Sequence, residues 1–447
     1  MPEPHVPETM DTMSDSPGPA TTPSTATPAA APRSPVRHVA VVGAGMVGLA
    51  TAWFLQERGL DVTVVERDGV AAGSSWGNAG WLTPGICTPL PEPAVLTYGL
   101  RAVFSPSSPV YVPPSADPSF LKFVGGFTRH STMAHWKRSM TSLVPINRMA
   151  LESFDLLGAG GVGAETVPAK SFVAAYRTEL ERTTLLEEIQ HIHAAGQGIE
   201  FETLTGDEAR AIEPILSEEV GAAILLRDQR FIDPGSYVHA LADSVLARGG
   251  KLLTGAGATV TGIADTGTGV RLTTQASTIE ADAVVVATGA WLGALARQFG
   301  VRQVVQAGRG YSFSIEVDDL PAGPVYLPSQ RVACTPIGDR LRVAGMMEFR
   351  KPEARLDERR IAAIAAAAKP FLRGADLDDR QDEWVGSRPC TPDGLPLIGA
   401  TRSPRVFVAG GHGMWGITLG PATGRLLADQ IVTDRPSEVL APFNPLR

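Results

Sequence analysis

The chain has 447 residues, of which 44% are hydrophobic, so it is long enough to form two structural lobes with buried cores. Its net charge of −8 argues against nucleic acid or an anionic membrane surface as the main partner. The three cysteines, Cys87, Cys334 and Cys390, have no metal-ligand spacing and are too few to cross-link such a chain. These features predict a globular protein of the reducing cytoplasm and leave peripheral contact with the inner face of the membrane open.

The first 35 residues consist mainly of Pro, Ser, Thr, Ala and acids, with almost no large apolar residue. Such a segment cannot offset the entropy cost of ordering, so residues 1–35 are predicted to be a disordered tail. A basic start followed by an apolar run is missing, and no stretch of ~18 apolar residues occurs. We therefore expect neither a secretory signal nor a membrane-spanning segment.

A dinucleotide-binding βαβ unit is predicted next. The apolar strand 39–42 leads into Gly43-Ala-Gly-Met-Val-Gly48, then a helical stretch and a second strand that ends at Glu66. In such a unit Gly43 permits the tight turn, Gly45 lets a pyrophosphate approach the backbone, and Gly48 allows close packing of helix on strand. The helix N-terminus offers N–H groups to the phosphates. Glu66 has the spacing of an acceptor for a ribose hydroxyl, which argues against a 2′-phosphate.

The next 180 residues are predicted to be rich in loops and helices. Small polar residues at 73–80 precede a Pro-rich passage from 83 to 118, whose composition favours a loop that wraps a ligand. Hydrophobic periodicity predicts helices at 121–128, 139–157 and about 179–195. Thr205 is predicted to cap a short helix, and Asp233-Pro234 to start a long one that ends before Gly249-Gly250.

The last 200 residues return to strands. Residues 251–288 alternate as a meander and end in an apolar run that predicts a buried parallel strand, broken at Gly289, in the sheet of the first strand. Strands at 303–350 and a helix at 356–371 follow, then strand 406–409, a glycine-rich turn and a helix at about 418–431. The glycine turns after Val42, Ala287 and Ala409 predict one discontinuous nucleotide domain threaded through a second lobe.

Five motifs occur in the order found in a known family. They are GAGMVG with Glu66, GSSWGNAG (73–80), VVVATGAW (284–291), GSRPCTPDGLPLIG (386–399) and FVAGGHGMWGITLGPATGRLLADQI (407–431). With them the chain resembles the FAD-dependent D-amino acid oxidase superfamily, and within it the bacterial D-amino acid dehydrogenases. The resemblance covers nearly all of residues 37–435.

The resemblance implies an α/β fold with a discontinuous Rossmann-like FAD-binding domain and an α+β substrate domain built on a large mixed sheet. We predict that 36–82, 226–302 and 384–437 form the FAD-binding domain, and that 83–225 and 303–383 form the substrate domain. Relatives with covalently attached flavin carry a linking cysteine where this chain has Gly386. Because Cys390 lies two residues before Pro392 rather than at that position, the FAD is expected to be non-covalent.

At the position of Trp76 some relatives have histidine, and Trp76 is expected to have either a packing role or a functional one. The motifs and the resemblance together predict an FAD site. The predicted FAD-binding residues are Gly43, Ala44, Gly45, Met46, Val47, Gly48, Glu66, Arg67, Ser74, Ser75, Asn78, Ala79, Gly80, Val260, Thr288, Gly289, Trp291, Gly413, Met414, Trp415, Gly416, Ile417 and Thr418.

Three residues are candidates for the chemistry. Arg388 matches the arginine that binds the substrate carboxylate in related glycine and D-amino acid oxidases, and a guanidinium suits bidentate binding of a carboxylate. Tyr311 would hydrogen-bond that carboxylate, line the pocket or lie in the core. His412, beside the glycine turn, is either a structural residue or an acid or base. Backbone N–H groups of 413–418 would stabilise charge on the reduced flavin.

The resemblance implies FAD-dependent oxidative deamination of a small amino acid, with hydride transfer from Cα to flavin N5. D-amino acids are the leading substrates, and hydroxyproline, glycine, sarcosine or use as an oxidase are alternatives. The electron acceptor, whether a quinone, an electron-transfer protein or oxygen, stays open. A non-catalytic flavin-binding subunit and an NAD-dependent dehydrogenase are the remaining alternatives. No metal cluster is expected.

Overall fold

The structure, a computed structural model, describes residues 35–93 and 110–447. The predicted tail, apart from Pro35, and the middle of the Pro-rich passage lie outside the described residues.

The strands in chain order are β1 His38–Val42, β2 Asp61–Glu66, β3 Trp81–Leu82, β4 Val110–Tyr111, β5 Val167–Pro168, β6 Val173–Tyr176, β7 Phe201–Thr205, β8 Ala222–Leu226, β9 Arg230–Phe231, β10 Lys251–Thr254, β11 Val260–Asp265, β12 Val270–Thr274, β13 Thr278–Ala281, β14 Ala283–Val286, β15 Gln306–Ile315, β16 Val325–Leu327, β17 Val332–Ile337, β18 Arg340–Phe349, β19 Gln381–Cys390, β20 Leu397–Ala400 and β21 Val406–Gly410.

The α-helices are α1 Met46–Glu57, α2 Pro118–His130, α3 Met133–Arg148, α4 Ala150–Ala159, α5 Glu179–Ala194, α6 Gly206–Ile212, α7 Pro234–Ala247, α8 Leu292–Ala296, α9 Glu358–Ala368 and α10 Gly416–Thr433.

One six-stranded sheet carries the dinucleotide motif. Its strand order is β10-β2-β1-β14-β21-β20, and β20 runs antiparallel to a parallel set. Apolar Val- and Ala-rich runs in β1, β14 and β21 fit strands that are buried on both faces. The prediction that the apolar run before Gly289 joins the first strand is confirmed, since Val39 pairs with Ala283. Strand β10 also joins this sheet, not the meander, which contains β11, β12 and β13 alone.

A second, larger sheet is mixed. Its order is β19-β15-β18-β17-β16-β6-β8-β7, and β4 pairs with β18. Most neighbours are antiparallel, but β16 and β6 run parallel. The predicted fold class, an α/β fold with a discontinuous Rossmann-like part and an α+β part built on a large mixed sheet, is confirmed. The domain boundaries stay a prediction; the one at residue 384 falls inside β19, whose residues pair with β15.

The helices follow the predicted periodicity with two differences. The pattern predicted as one helix over 139–157 starts earlier and divides at Met149 into α3 and α4. Thr205 caps α6 in a reciprocal capping box with Glu208, and the Asp233 side chain accepts from the N–H of Gly235 at the start of α7, as predicted. In the described part of the chain no helix is long and apolar enough to cross a membrane, and no cluster of metal-ligating side chains occurs.

Helix α10 packs directly on α1 through two glycines. A Cβ on Gly424 would lie 2.6 Å from the backbone nitrogen of Thr51, and one on Gly420 would lie 2.7 Å from Cγ of Met46. Distances this short leave no room for a side chain. The two helices, from opposite ends of the chain, are thereby held backbone to backbone beneath the six-stranded sheet.

We expect Gly424→Ala to lower the free energy of unfolding by about 1–3 kcal/mol, because the added methyl must push apart two buried backbones. Gly158→Ala, in α4, is the matched control, since a Cβ there meets nothing within 4 Å. It should be neutral or stabilising by up to ~1 kcal/mol, because alanine favours the helix. Chemical denaturation of the two variants and the wild type measures this; equal stability of both variants would contradict the packing argument.

Candidate active site

The turn between β1 and α1 depends on close backbone contact with β14. Gly43 has φ of +114°, and a Cβ on it would lie 2.5 Å from the carbonyl oxygen of Ala287. A Cβ on Gly48 would lie 2.0 Å from the carbonyl oxygen of Gly43. Both positions therefore require glycine, as the motif predicts. The consequence is that the N-terminus of α1 sits directly at the end of the parallel strands.

Glu66 ends β2 beside this turn. Its Oε2 accepts a hydrogen bond from the N–H of Ala44 at 3.0 Å, and its Oε1 accepts from the N–H of Asp68 at 3.0 Å. Each carboxylate oxygen has a further lone pair. Glu66 thus lies fixed beside the phosphate turn, with capacity left for a ribose hydroxyl.

A long cavity opens at the carboxyl ends of β1, β2, β14 and β21, where open parallel sheets bind their ligands. Most predicted FAD-binding residues line it: Gly43, Gly45, Met46, Val47, Glu66, Arg67, Ser74, Ser75, Asn78, Val260, Thr288, Gly289, Trp291, Gly413, Met414, Gly416 and Ile417. Arg388 and His412 line it too. Ala44, Gly48, Gly80 and Thr418 do not, and Ala79 and Trp415 line a second cavity instead.

The Trp291 ring lines the first cavity together with Glu66 and Arg67. The Arg67 guanidinium lies 4.1 Å from the centroid of the Trp291 ring, and Trp291 Nε1 donates to Glu353 at 2.5 Å. Beside it the buried Thr288 hydroxyl has no hydrogen-bond partner within the described residues. Buried hydroxyls normally have partners, so a polar ligand group is expected there.

The opposite end of the cavity is closed by the turn before α10. Gly411 and Gly413 have positive φ, and α10 starts with neither a side-chain cap nor an acid in its first turn. Its N–H groups and partial positive charge are thus available to an electron-rich group. Nε2 of the buried His412 is 2.9 Å from the Thr423 hydroxyl, and burial lowers the pKa of His412 to about 4. The imidazole is therefore neutral at pH 7 and anchors the turn to α10.

Tyr311 lies away from both cavities. Its hydroxyl donates to Oε2 of Glu348 at 2.6 Å, and both side chains are almost fully buried. The same carboxylate forms ion pairs with Arg309, Arg360 and Arg350. Because the hydroxyl is already used in a buried network, we assign Tyr311 no contact with substrate, and its place is in the core of the large sheet.

Arg388 is on β19, and its side chain lies across the neighbouring strand. A Cβ on Gly310 would lie 2.2 Å from Cζ of Arg388, so β15 has a glycine where the guanidinium crosses it. Nη1 then donates to the carbonyl oxygen of Met346 at 2.6 Å. Met346 has φ of +65°, in the interruption of the β15–β18 register between Arg309 and Tyr311. This strained bulge turns a carbonyl toward the guanidinium.

The guanidinium of Arg388 has no carboxylate within 4.0 Å in residues 35–93 and 110–447. Its surroundings desolvate it enough to lower its pKa below the ordinary value, although it stays protonated at neutral pH. A cation in this position is stabilised by an anion.

The second cavity shares Arg388, Met414 and Asn78 with the first. Near Arg388 its walls are apolar or aromatic, from Met346, Met347 and Phe349. The arrangement can hold a planar cofactor in the first cavity and a small carboxylate-bearing molecule in the second, side by side at Arg388.

Several lining residues were not among the predicted ones. Ala258, Thr259 and Leu295 line the first cavity and belong to no motif, whereas Pro389 lies in the motif 386–399. Thr259 and Pro389 directly adjoin the predicted Val260 and Arg388, and this adjacency was the signal available for them. The fit to FAD rests on the glycine turn, the fixed Glu66, the unpartnered Thr288 hydroxyl and the uncapped helix α10.

A model of the family FAD dependent oxidoreductase (DAO) matches residues 38–430. The D-amino acid dehydrogenase of Agrobacterium fabrum is 29% identical over 410 residues, 89% of this chain and 96% of that protein. That of Rhizobium rhizogenes is 30% identical over 404 residues, 88% of this chain and 95% of the relative.

Solved structures agree with this match. Glycine oxidase from Geobacillus kaustophilus has a TM-score of 0.68 and 25% identity, covering 92% of this chain and 99% of that one. Iminodiacetate oxidase from Chelativorans sp. has a TM-score of 0.66 and 19% identity, covering 91% and 98%, and is similar in fold. The chain is an FAD-dependent flavoenzyme of the Rossmann-like class. It belongs to the DAO family of FAD-dependent oxidoreductases, and the predictions of the family, the cofactor FAD and an oxidoreductase are confirmed.

We expect Gly310→Ala to weaken binding of a carboxylate ligand at least ~10-fold, because the added methyl displaces the guanidinium of Arg388. Stability should change little, since only the end of a flexible side chain must move. Titration of the flavoprotein with benzoate, followed by the flavin absorbance, measures the dissociation constant. Gly262→Ala, on β11, is the control, because its Cβ would meet only Thr273 Cβ at 4.0 Å. Unchanged benzoate affinity in Gly310→Ala would contradict this position of Arg388.

Proposed function

We propose that the protein oxidises D-amino acids to 2-oxo acids and ammonia. The observation that carries the proposal is the guanidinium of Arg388, which stands between the two cavities with a carbonyl but no described carboxylate as its partner. A substrate α-carboxylate supplies the missing anion through two parallel hydrogen bonds. Relatives named D-amino acid dehydrogenase support the choice of substrate class.

FAD, when bound, accepts a hydride from the carbon that bears the substrate amine. Arg388 orients that carbon by holding the adjacent carboxylate, which supplies the catalytic advantage of fixed position. The apolar side chains of Met346, Met347 and Phe349 exclude water from the same region. Exclusion of water favours the neutral amine, the form that releases a hydride. The imine that results hydrolyses to the 2-oxo acid and ammonia.

The turn before α10 and the start of that helix would supply electrostatic stabilisation of the reduced cofactor. Within 413–418 the N–H groups of Gly413 and Trp415 already donate to the carbonyl oxygens of Pro389 and His412. We therefore assign the role to the first turn of α10, whose N–H groups and positive helix end would face the electron-rich edge of the reduced cofactor. His412 holds this turn as a neutral imidazole, because its pKa is about 4. We therefore assign His412 a positioning role through Thr423 and no part in proton transfer at neutral pH.

Arg388→Ala should lower kcat/KM for D-amino acids by roughly 30-fold to several thousandfold, equivalent to about 2–5 kcal/mol of lost transition-state binding. Arg388→Lys should recover only part, since an ammonium keeps the charge but not the planar fork. Anaerobic mixing with D- and L-amino acids, followed by bleaching of the flavin, measures both variants.

The flavin spectrum before mixing is the control, and both variants should keep it, because Arg388 is assigned to substrate. Wild-type turnover by Arg388→Ala would refute the role of Arg388. Bleaching by L-amino acids alone, or by glycine or sarcosine alone, would refute the D-amino acid assignment while leaving amine oxidation intact.

We also propose that the FAD is held without a covalent bond. Gly386 offers no nucleophile, and a Cβ there would lie 1.9 Å from Cη2 of Trp384, so a linking cysteine has no room. Cys390 is buried outside the first cavity, and burial raises its pKa to about 12, which keeps it a thiol. Thiols are poor nucleophiles.

Acid or heat precipitation of the purified protein should therefore release all of its FAD into the supernatant. The absorbance of the supernatant and of the redissolved pellet measures the two fractions. Digestion of the pellet with protease checks for flavin peptides. Yellow colour that stays with the polypeptide after denaturation would disprove a non-covalent cofactor.

A further inference from the structure

The end of the second cavity away from the flavin carries charged side chains that the proposed chemistry does not use. Glu92, from the loop after β3, and Glu188, from α5, both line it. The Thr88 hydroxyl donates to Oε1 of Glu188 at 3.2 Å. Tyr326 of β16 and Arg331, which follows β16, line the same end. One cavity thus has a cation at the flavin end and a pair of carboxylates at the other.

The strand order gives the distance between these two ends. The Arg388 side chain crosses β15 and reaches the backbone of β18, while Tyr326 lies on β16, two strands further along the sheet. Neighbouring strands lie ~4.8 Å apart, so β18, which Arg388 reaches, and β16, which carries Tyr326, are roughly 10 Å apart across the sheet. A four-methylene side chain spans about 6 Å from Cα to its terminal nitrogen with bonds of ~1.5 Å. Hydrogen bonds at both ends account for the rest.

Electrostatics at the charged end favour a cation. Burial and then the charge of Glu92 raise the pKa of Glu188 to about 7, against the lowering effects of the Thr88 hydrogen bond and of Arg331. The pKa of Glu92 is raised as well, by burial. Two carboxylates in a partly desolvated site disfavour each other's ionised form, and a positive charge between them reduces this repulsion. With two acids against Arg331, the end has an excess of negative charge when both acids are ionised.

We propose that this end of the cavity binds the cationic terminal group of a long basic side chain, so that the preferred substrates are basic D-amino acids. The proposal rests on the proposed function and deepens it. The α-carboxylate pairs with Arg388, and the terminal ammonium or guanidinium pairs with Glu188 and Glu92. A terminal carboxylate would meet two acids, and an apolar chain of the same length would add no positive charge to that of Arg331.

The test compares D-lysine with D-norleucine, which has a chain of similar length without the charge. In the wild type, kcat/KM for D-lysine should exceed that for D-norleucine by roughly 10- to 100-fold, the effect of one partly buried charge pair. Glu188→Gln should reduce this ratio at least ~10-fold. Glu187→Gln changes the neighbouring, exposed carboxylate of α5 and should keep the wild-type ratio. Anaerobic flavin bleaching by each substrate is the readout.

The outcomes separate the two proposals. Bleaching by D-norleucine at least as efficient as by D-lysine in the wild type overturns the preference for basic substrates and leaves the proposed function standing. An unchanged ratio in Glu188→Gln, or an equal loss in Glu187→Gln, overturns the role of Glu188. If no amino acid bleaches the flavin, the proposed function fails and this inference fails with it.

A second readout is the pH dependence of the same ratio. Glu188 faces Glu92, Arg331 and Tyr326, and Tyr176 of β6 lies near enough for the two groups to affect each other's charge. Because the pKa of Glu188 is raised to about 7, its charge is lost as the pH falls through that value. The D-lysine to D-norleucine ratio should therefore rise between about pH 6 and pH 8 in the wild type and stay flat in Glu188→Gln. A flat wild-type ratio contradicts the ion pair.

Discussion

The close approach of Gly43 to Ala287 determines the rest of the structure. The carbonyl oxygen of Ala287 occupies the space that any side chain at position 43 would need. This contact lets β1 and β14 end side by side, although 244 residues separate Val42 from Val286 in the chain. The first cavity lies at the strand ends so aligned, and the cofactor site is therefore a consequence of backbone contact more than of particular side chains.

The large sheet, on the side of the second cavity, also depends on a glycine that leaves space for another group. At Gly310, as at Gly43, the absence of a side chain leaves space for another group. That group is the Arg388 guanidinium at Gly310 and the Ala287 carbonyl at Gly43. The bulge at Met346 then gives the guanidinium a carbonyl partner at the place where Arg388 lines both cavities. A guanidinium held by this hydrogen bond before a ligand arrives loses less conformational entropy when the ligand binds.

Much of this could be predicted from the sequence because it depends on local patterns. The glycine turn, Glu66 and the strand that breaks at Gly289 each combine a residue type with a fixed spacing, and Arg388 followed from family resemblance. Contacts across the large sheet could not be predicted in that way. The sequence left the role of Tyr311 open between substrate contact, pocket lining and the core, because its partner Glu348 lies 37 residues further on, beside a register interruption that no local pattern encodes.

The arginines on and beside the large sheet show how desolvation of a cation leads to different roles. Arg309 and Arg360 form buried ion pairs with Glu348. Breaking such a pair would leave a buried charge without its counter-charge, which is strongly destabilising, so these arginines have a structural role. Arg388 is desolvated as well, but among the described residues its side chain donates only to the carbonyl oxygen of Met346 and to the sulfur of Met347. A neutral partner compensates a buried charge less than a carboxylate does. We therefore assign the substrate carboxylate to Arg388, and the proposal for basic substrates assigns their terminal positive charge to Glu92 and Glu188 in the same cavity.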